Sequence, residues 1–362
     1  MRTLVRTKRV NHAHLLLFFA LFSMAVYGQD SIKDDGIKDD GLRPVPILTG
    51  STAYFTRVTG GQVQDVPSVS PLLLAPFGDK WLIEAKGNLS DTYAKNVHGD
   101  YIGTVGYGLG YAQIDYIANR FVTVAAGRFI TPFGMYGERL GPNWVRALQV
   151  SPLTNPIISG SSLGGMLRGG FPAGTDKVNL NYAFYFSTAN TNHLLATDRS
   201  TGGRIGFFLP GPRLEIGASF QQLLQADRSH SVGVHAEWQP NSLPLTLRSE
   251  FAHSSGLKGS GYWIESVYRL SQVPYMHRLE VTSRVQQFLA NPKLTKGAAG
   301  KLGALGRDTN QGDFGLNYYL RSDVRASASY GRQFALNKNA NIWVIGMTYR
   351  FVMPLGLKGG AL

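Results

Sequence analysis

Arginine and glutamate recur two positions apart, at Arg213 and Glu215, Arg248 and Glu250, and Arg278 and Glu280. Residues two apart lie on one face of a β-strand, so each pair places both charges on the same side of its strand. Such charges either form ladders across neighbouring strands or set the potential of a polar interior. The charged residues that we expect on this polar face, or in the long loop described below, are Arg128, Arg139, Arg146, Arg168, Arg204, Arg248, Arg278, Arg284, Arg325, Glu250 and Glu280.

Hydrolytic chemistry has one candidate site, at His253, Ser254 and Ser255, with Asp227 and His230 across a neighbouring loop. Nucleophilic catalysis needs a nucleophile, a base and an orienting group at one point. Adjacent His and Ser in a polar loop are common by chance, so we expect no catalytic site. The eight histidines show no paired ligand spacing, and we expect neither a metal nor a cofactor.

The elements that position the charges are strands of alternating polarity, clearest between Gln311 and Phe351. Three consecutive strands there each have one apolar and one polar face. Their length of about ten residues is what a tilted strand needs to cross a bilayer, and aromatic residues lie towards their ends. A soluble antiparallel sheet with one wet face would give the same alternation.

The whole chain divides into sixteen candidate strands, and the connections separate the two interpretations. Before the closing three strands, the candidates are 51–58, 68–75, 80–93, 101–117 (with a bulge near Tyr111), 120–129, 163–171, 177–187, 202–209, 213–223, 230–238, 245–253, 260–270 and 275–288. Every second connection is short and rich in turn residues, at 76–79, 118–119, 172–176, 210–212, 239–244, 271–274 and 321–323. We therefore predict an all-β, transmembrane antiparallel barrel of about 16 strands, with 14 as the alternative, and with short periplasmic turns and longer external loops.

The N-terminus predicts export. Four basic residues precede the apolar run 15–26, and Val26 and Gly28 suit a signal-peptidase site. We expect a signal peptide at 1–28, a flexible polar linker at 29–50 that contains the repeat IKDDG, the barrel at 51–351 and a tail at 352–362. The predicted location is the outer membrane of a Gram-negative-type bacterium, and the chain has no cysteine to form disulfides.

The positive net charge of the chain predicts a preference for anionic solutes. The formal +13 falls to +9 when the four basic residues of the leader are removed. Arginine is spread one or two per strand on polar faces, whereas a nucleic-acid binder clusters its basic residues beside stacking aromatics. We therefore expect a cationic lumen and no nucleic-acid partner.

The segment 130–162 breaks the strand pattern. It has four prolines, and Phe133, Trp144 and Leu148 argue against disorder. Two placements are open: an external covering of the rim, or a fold into the lumen that narrows it, which the apolar residues slightly favour.

The same region resembles the phosphate-selective porin O and P family. Gly127-Arg128-Phe129, then Thr131-Pro132-Phe133-Gly134, then Glu138-Arg139-Leu140, looks like that family's strand-to-loop signature. The resemblance implies a sixteen-stranded, trimeric porin with a loop-narrowed channel. Phosphate selectivity is not carried over, because no dense Lys/Arg ladder is evident. The residues after Phe351 also depart from the usual barrel end.

We accordingly expect a non-enzymatic outer-membrane porin that forms a water-filled channel for passive diffusion of small anionic or polar solutes. Its expected partners are outer-membrane lipid, the barrel-assembly machinery and two further copies in a homotrimer. A non-conducting surface adhesin or structural barrel is the alternative, followed by an outer-membrane hydrolase.

Overall fold

The computed structural model describes residues 2–6, 45–95, 99–157, 160–174, 177–191, 199–225, 228–255, 259–290, 307–335 and 339–355. Seventeen strands lie in these ranges, and one short helix, α1 (Tyr136–Arg139), and one 3₁₀ turn (Asn155–Ile157) lie between β6 and β7. The strands are β1 (Arg2–Arg6), β2 (Ile47–Thr59), β3 (Gln62–Phe77), β4 (Trp81–Lys95), β5 (Tyr101–Asn119), β6 (Val122–Ile130), β7 (Ser161–Ala173), β8 (Val178–Asn190), β9 (Ser200–Leu209), β10 (Leu214–Leu223), β11 (His230–Trp238), β12 (Leu245–Ser254), β13 (Gly259–Arg269), β14 (Leu279–Ala290), β15 (Thr309–Tyr319), β16 (Val324–Ala335) and β17 (Ala340–Pro354). No helix in the described residues is long and apolar enough to cross a membrane.

Strands β2 to β17 close into a sixteen-stranded antiparallel barrel. Each pairs with its neighbours in sequence, and β17 returns to pair with β2, with Trp343 opposite Val58. This closure confirms sixteen strands rather than fourteen. All seven predicted short turns join strands at one end of the barrel.

The remaining strand, β1, lies within the predicted signal peptide. It pairs antiparallel with Gly103–Tyr107 of β5. That part of β5 extends beyond the β5–β6 ladder, whose last pair is Ala112 with Arg128. The main barrel is complete without β1.

Two local predictions differ in outcome at β3 and β5. The predicted bulge in β5 is present, since Gly110 has no partner between the pairs Lys86–Tyr111 and Gly87–Leu109. The connection from β2 to β3, expected to be longer, is only Gly60-Gly61, both with positive φ as a tight hairpin requires. Pro67 and Pro71 conceal this strand in the sequence, and the β3–β4 ladder skips both positions.

The barrel also extends further than predicted at both ends of its chain. Ile47 pairs with Pro354, and the backbone N–H of Leu355 donates to Pro46 O at 2.7 Å. The strands therefore begin four residues before Ser51 and continue three past Phe351, and both chain ends leave the barrel at the end that carries the short turns.

The two faces of the wall follow the predicted alternation. In β15, the apolar Phe314 is 49% exposed on the outside and its neighbour Asp313 is 6% exposed on the inside. Outward aromatic side chains lie near the short-turn end at Trp81, Phe171 and Trp238, and near the other end at Phe220, Phe334 and Trp343. Two such belts are typical of a barrel that crosses a bilayer.

Candidate functional site

The connection between β6 and β7, residues 131–157, folds into the barrel, and we call it the inner loop. Its Phe133, Leu153 and Ile157 are buried in a cluster with Leu223, Ala252 and Phe288 of the wall. A second cluster joins Met135, Tyr136 and Leu140 to the fully buried Trp263. Of the two placements that the sequence left open, the structure has the loop in the lumen, because apolar wall residues there give its side chains a place to pack.

Glu250 holds the first part of the inner loop. Its Oε2 accepts the backbone N–H groups of Met135 at 2.7 Å and Tyr136 at 3.2 Å. Gly134, just before them, donates to Ser219 Oγ at 2.9 Å. Gly134 has φ +63°, and a Cβ there would collide with the Glu250 carboxylate, so the position needs glycine.

Side chains of β14 to β16 hold the second part. Arg284 donates to Val150 O at 2.6 Å, Asn317 to Ala147 O at 2.9 Å, and Arg325 to Asn143 O at 2.8 Å. Gln286 in turn accepts the N–H of Leu153 at 2.8 Å. Wall side chains thus satisfy backbone groups that a loop without regular structure would otherwise bury unpaired.

Three inward glycines make room for the loop. A Cβ on Gly233 would lie 3.0 Å from Phe133, one on Gly261 3.0 Å from Thr154, and one on Gly315 2.6 Å from Leu148. The wall is therefore shaped for the inner loop over β11, β13 and β15.

Behind the loop, five charged residues alternate in sign across five adjacent strands. Glu237, Arg248, Glu265, Arg284 and Asp313 are successive register partners on β11 to β15. Neighbouring charges approach to 3.0, 3.4, 3.7 and 3.3 Å in that order. Arg248 thus pairs across strands with Glu237 and Glu265 rather than with Glu250 two positions away, as in the ladder interpretation.

The other expected residues fall into two groups. Arg139 binds Glu215, Arg204 binds Glu138, Arg168 binds Asp115, and Glu280 accepts from Asn317 at 2.9 Å, all inside the barrel. Burial lowers and the Glu215 carboxylate raises the pKa of Arg139, and the net shift is upward. Arg128 and Arg278 lie apart from this group. Arg278 was expected on the inward face of a strand that begins at residue 275. That expectation is wrong, because β14 begins at Leu279, and Arg278 lies exposed in the turn before it, where it donates to Leu320 O at 3.0 Å.

Arg128 lies on the outer face of β6, contrary to the expectation that it lines the lumen. Its register partners are Ala112 and the outward-facing Leu163, and its guanidinium donates to Leu109 O at 3.4 Å. The buried Ala125 and Phe129 fix the inward positions of β6, so position 128 points away from the lumen. The prediction for Arg128 rested on the loop signature and not on strand alternation, which explains the difference.

An opening remains between the inner loop and the opposite wall, β2 to β5 with β17. It is a cavity of about 360 Å³ lined by Lys86, Tyr111 and Arg350 of the wall and by Glu138 and Trp144 of the loop. Arg57 lies on the inward face of β2 with Ala53 and Phe55, and Arg146 of the loop is close enough to repel both Arg57 and Lys86. Among the described residues, no carboxylate pairs with Arg57, Lys86, Arg146 or Arg350.

Arg57, Lys86 and Arg350 were not among the expected site residues. The signal was nevertheless present for two of them. Lys86 alternates with Ile83, Ala85 and Leu89, and Arg350 shares a face with Thr348, in the same way as the residues that were chosen.

The candidate hydrolytic residues lie in two separate histidine–serine pairs. His253 Nδ1 lies 2.8 Å from Ser260 Oγ, whereas His230 Nδ1 lies 3.4 Å from Ser255 Oγ. Asp227 is outside the described residues. Within the part of the chain that is described, neither ring has a carboxylate partner.

Comparisons with known proteins agree with the barrel. No family model matches the chain, and no curated protein matches it. Among solved structures, OmpF of Salmonella typhi in complex with daunomycin is 14% identical over 87% of this chain and 99% of its own, with a TM-score of 0.56. OprB of Pseudomonas putida at low pH is 12% identical over 85% and 93%, with a TM-score of 0.55. An anion-selective porin from Comamonas acidovorans is 11% identical over 85% and 99%, with a TM-score of 0.51. At these identities the likeness shows that the chain has the fold of outer-membrane porins, and the specific resemblance to the phosphate-selective family gains no support from a family model.

Proposed function

We propose that this chain is an outer-membrane porin that lets small solutes diffuse through a water-filled channel and prefers anions. The observation that carries the proposal is the opening between the inner loop and the β2–β5 wall. Lys86 and Arg350 line it, Arg146 lies beside Lys86 and Arg57, and none of these four cations is paired with a carboxylate among the described residues. Sixteen strands enclose an aqueous lumen unless something fills it, and here the loop occupies one side.

Charge pairing divides the lumen into two sides. On the loop side, arginines such as Arg204 and Arg284 are neutralised by Glu138 and by Glu265 with Asp313. The cations around the opening keep their full field, which acts strongly on an ion in a narrow and poorly solvated passage. Small anions should therefore enter more readily than cations of the same size. The proposal does not extend to phosphate or any other particular solute.

The test is reconstitution of the chain without residues 1–28 in planar bilayers. We expect discrete conductance steps. In a gradient of dilute KCl, we expect a reversal potential whose sign indicates that chloride is more permeant than potassium. The preference should weaken as salt shortens the Debye length below about 8 Å, its value near physiological ionic strength. A folded barrel without conductance steps would favour the non-conducting adhesin or structural barrel, and a cation-selective potential would contradict the anion preference alone.

The same proposal includes cleavage after Gly28, insertion by the barrel-assembly machinery into the outer membrane, and assembly as a homotrimer. The apolar run 15–26 supports the cleavage, and the porin fold supports the location and the assembly. N-terminal sequencing of the membrane-inserted protein and its mass in detergent, corrected for bound detergent, test cleavage and assembly separately. A first residue other than Gln29 or a monomeric mass would contradict the respective part.

A further inference from the structure

His235 is buried among the groups that hold the inner loop. It belongs to β11 and is 3% exposed, and its ring fills space that Gly217 of β10 leaves open. Glu250, which accepts two N–H groups of the loop, is its register partner on β12. His235 thus lies between strands that each present a carboxylate.

The charged groups that face His235 come from all the elements packed around it. Glu215 of β10 lies with Oε1 3.8 Å from His235 Nε2, and Arg139 of the inner loop binds the same carboxylate. Glu250 of β12 is close enough to interact electrostatically with the charged ring. On β11 itself, Glu237 is neutralised by Arg248. Glu215 and Glu250 both also bind the inner loop, Glu215 through Arg139 and Glu250 through backbone N–H groups.

The hydrogen-bonding surroundings suit a protonated ring. A neutral imidazole donates from one nitrogen and accepts at the other, whereas an imidazolium donates from both. Neither nitrogen of His235 has a hydrogen-bond partner among the described residues, and Glu250 Oε1 also lacks one. The ring's carboxylate neighbours, Glu215 and Glu250, are both acceptors, and an imidazolium can donate to both of them where a neutral ring can donate to one.

Charge balance points in the same direction. Glu215 and Glu250 bring two negative charges to a buried site, and Arg139 supplies one positive charge. An imidazolium at His235 supplies the second, and an uncompensated buried charge is costly. We infer that His235 is a proton-dependent anchor of the inner loop: when it is protonated the loop is held against β10–β12, and when it loses the proton the loop loosens. This holds whichever solute passes through the channel.

The test is a spin label on the inner loop. The chain has no cysteine, and a side chain at Gly137 would meet no atom within 4 Å, so Gly137→Cys gives a single labelling site. In the full barrel we expect the mobility of the label to increase at least twofold from about pH 5 to about pH 8, the range over which histidine changes charge. His235→Gln should remove this pH dependence. His230→Gln, at an exposed position on the same strand, should keep it.

A second variant tests the anchor without titration. Glu250→Gln should leave the label mobile at both pH values, because the loop N–H groups and the ring lose their charged acceptor. Folding of each variant is checked by its heat-modifiable migration on a gel. A label whose mobility is the same at both pH values in the parent protein, or a pH dependence that survives His235→Gln, would overturn the inference. So would a label that stays immobile in Glu250→Gln.

Discussion

Individual side chains in this lumen do one of two things. Most arginines are paired, either in the ladder from Glu237 to Asp313 or with carboxylates near the inner loop, and they hold structure together. Lys86 and Arg350 line the opening, Arg57 lies near Arg146 of the loop, and none of the three is paired with a carboxylate among the described residues. Truncating a member of the first group leaves a buried charge without its partner, which costs several kcal/mol, about 3–5 for a fully buried pair. Truncating a member of the second group changes mainly the field that a solute meets.

We predict that Lys86→Gln lowers the anion preference and leaves the barrel intact. The substitution removes one unpaired positive charge from the wall of the opening. The chloride-to-potassium permeability ratio in dilute KCl should fall about twofold or more, since an effective interaction of about 0.4 kcal/mol already changes a ratio twofold. Lys80→Gln is the matched control, because it removes the same charge from an exposed turn outside the lumen. Equal ratios for Lys86→Gln and the parent protein would contradict the prediction.

Gly134→Ala should displace the inner loop from its contacts with the barrel wall. The residue has φ +63° and faces the Glu250 carboxylate, so a methyl group there meets both backbone strain of about 1 kcal/mol or more and a steric collision. We expect larger conductance fluctuations from a barrel that still folds, measured in single-channel records. Gly137→Ala, three residues later, adds the same methyl group where no atom lies within 4 Å and should behave as the parent. A Gly134→Ala channel with parental noise would show that the loop tolerates the change.

At the scale of elements, the barrel wall and the inner loop are stabilised differently. The wall is held by continuous ladders, whereas the loop is held by a few side-chain hydrogen bonds from Glu250, Gln286, Arg284, Asn317 and Arg325 and by its apolar clusters. The loop can therefore be removed without breaking a strand pair.

We predict that deleting residues 137–149 raises single-channel conductance severalfold. The deletion removes Trp144, which lines the opening, and Arg146, which lies beside Lys86, so the bore becomes that of the wall alone. The anion preference should fall at the same time, because the wall cations then act across a wider, better solvated lumen. The measurement is unit conductance in high salt, where surface charge contributes little. Unchanged conductance from a folded deletion variant would mean that the loop does not limit the bore.

The sequence was sufficient for the wall and insufficient for the contacts of the loop. Strand periodicity is a local property, so all sixteen strands and seven short turns could be predicted, while the prolines of β3 concealed the start of that strand. Placement of the inner loop depends on partners far along the chain, such as Gly233, Gly261 and Gly315, whose only signal is an absent side chain. Alternation places Lys86 and Arg350 on polar faces, but it does not specify which cations have no carboxylate partner, because that is decided by neighbouring strands.

At the scale of the molecule, the barrel has one end where β2 begins, β17 ends and the predicted short turns lie, and another where the remaining connections lie. We predict that epitope tags at Gly211 or Asp323 are inaccessible on intact cells, because both lie in short turns at the first end. Tags near Asn192 or Leu302, which lie outside the described residues, should be accessible. Labelling of all four tags after outer-membrane permeabilisation is the control for expression. External labelling at Gly211 would reverse the assigned orientation.

The inner loop also has a consequence for the order of assembly. It precedes in the chain most of the wall residues that hold it: Gly134 bonds to a residue 85 positions later, Met135 to one 115 later, and Asn143 to one 182 later. Contacts of such long sequence separation form late, since the intervening chain must be ordered first. Apolar side chains of the loop such as Phe133 and Leu148 therefore have no wall residues to pack against until β10 to β17 have formed. A nascent barrel must keep this segment from aggregating until its second half has formed, so packing of the loop against the wall reports that the last strands have closed.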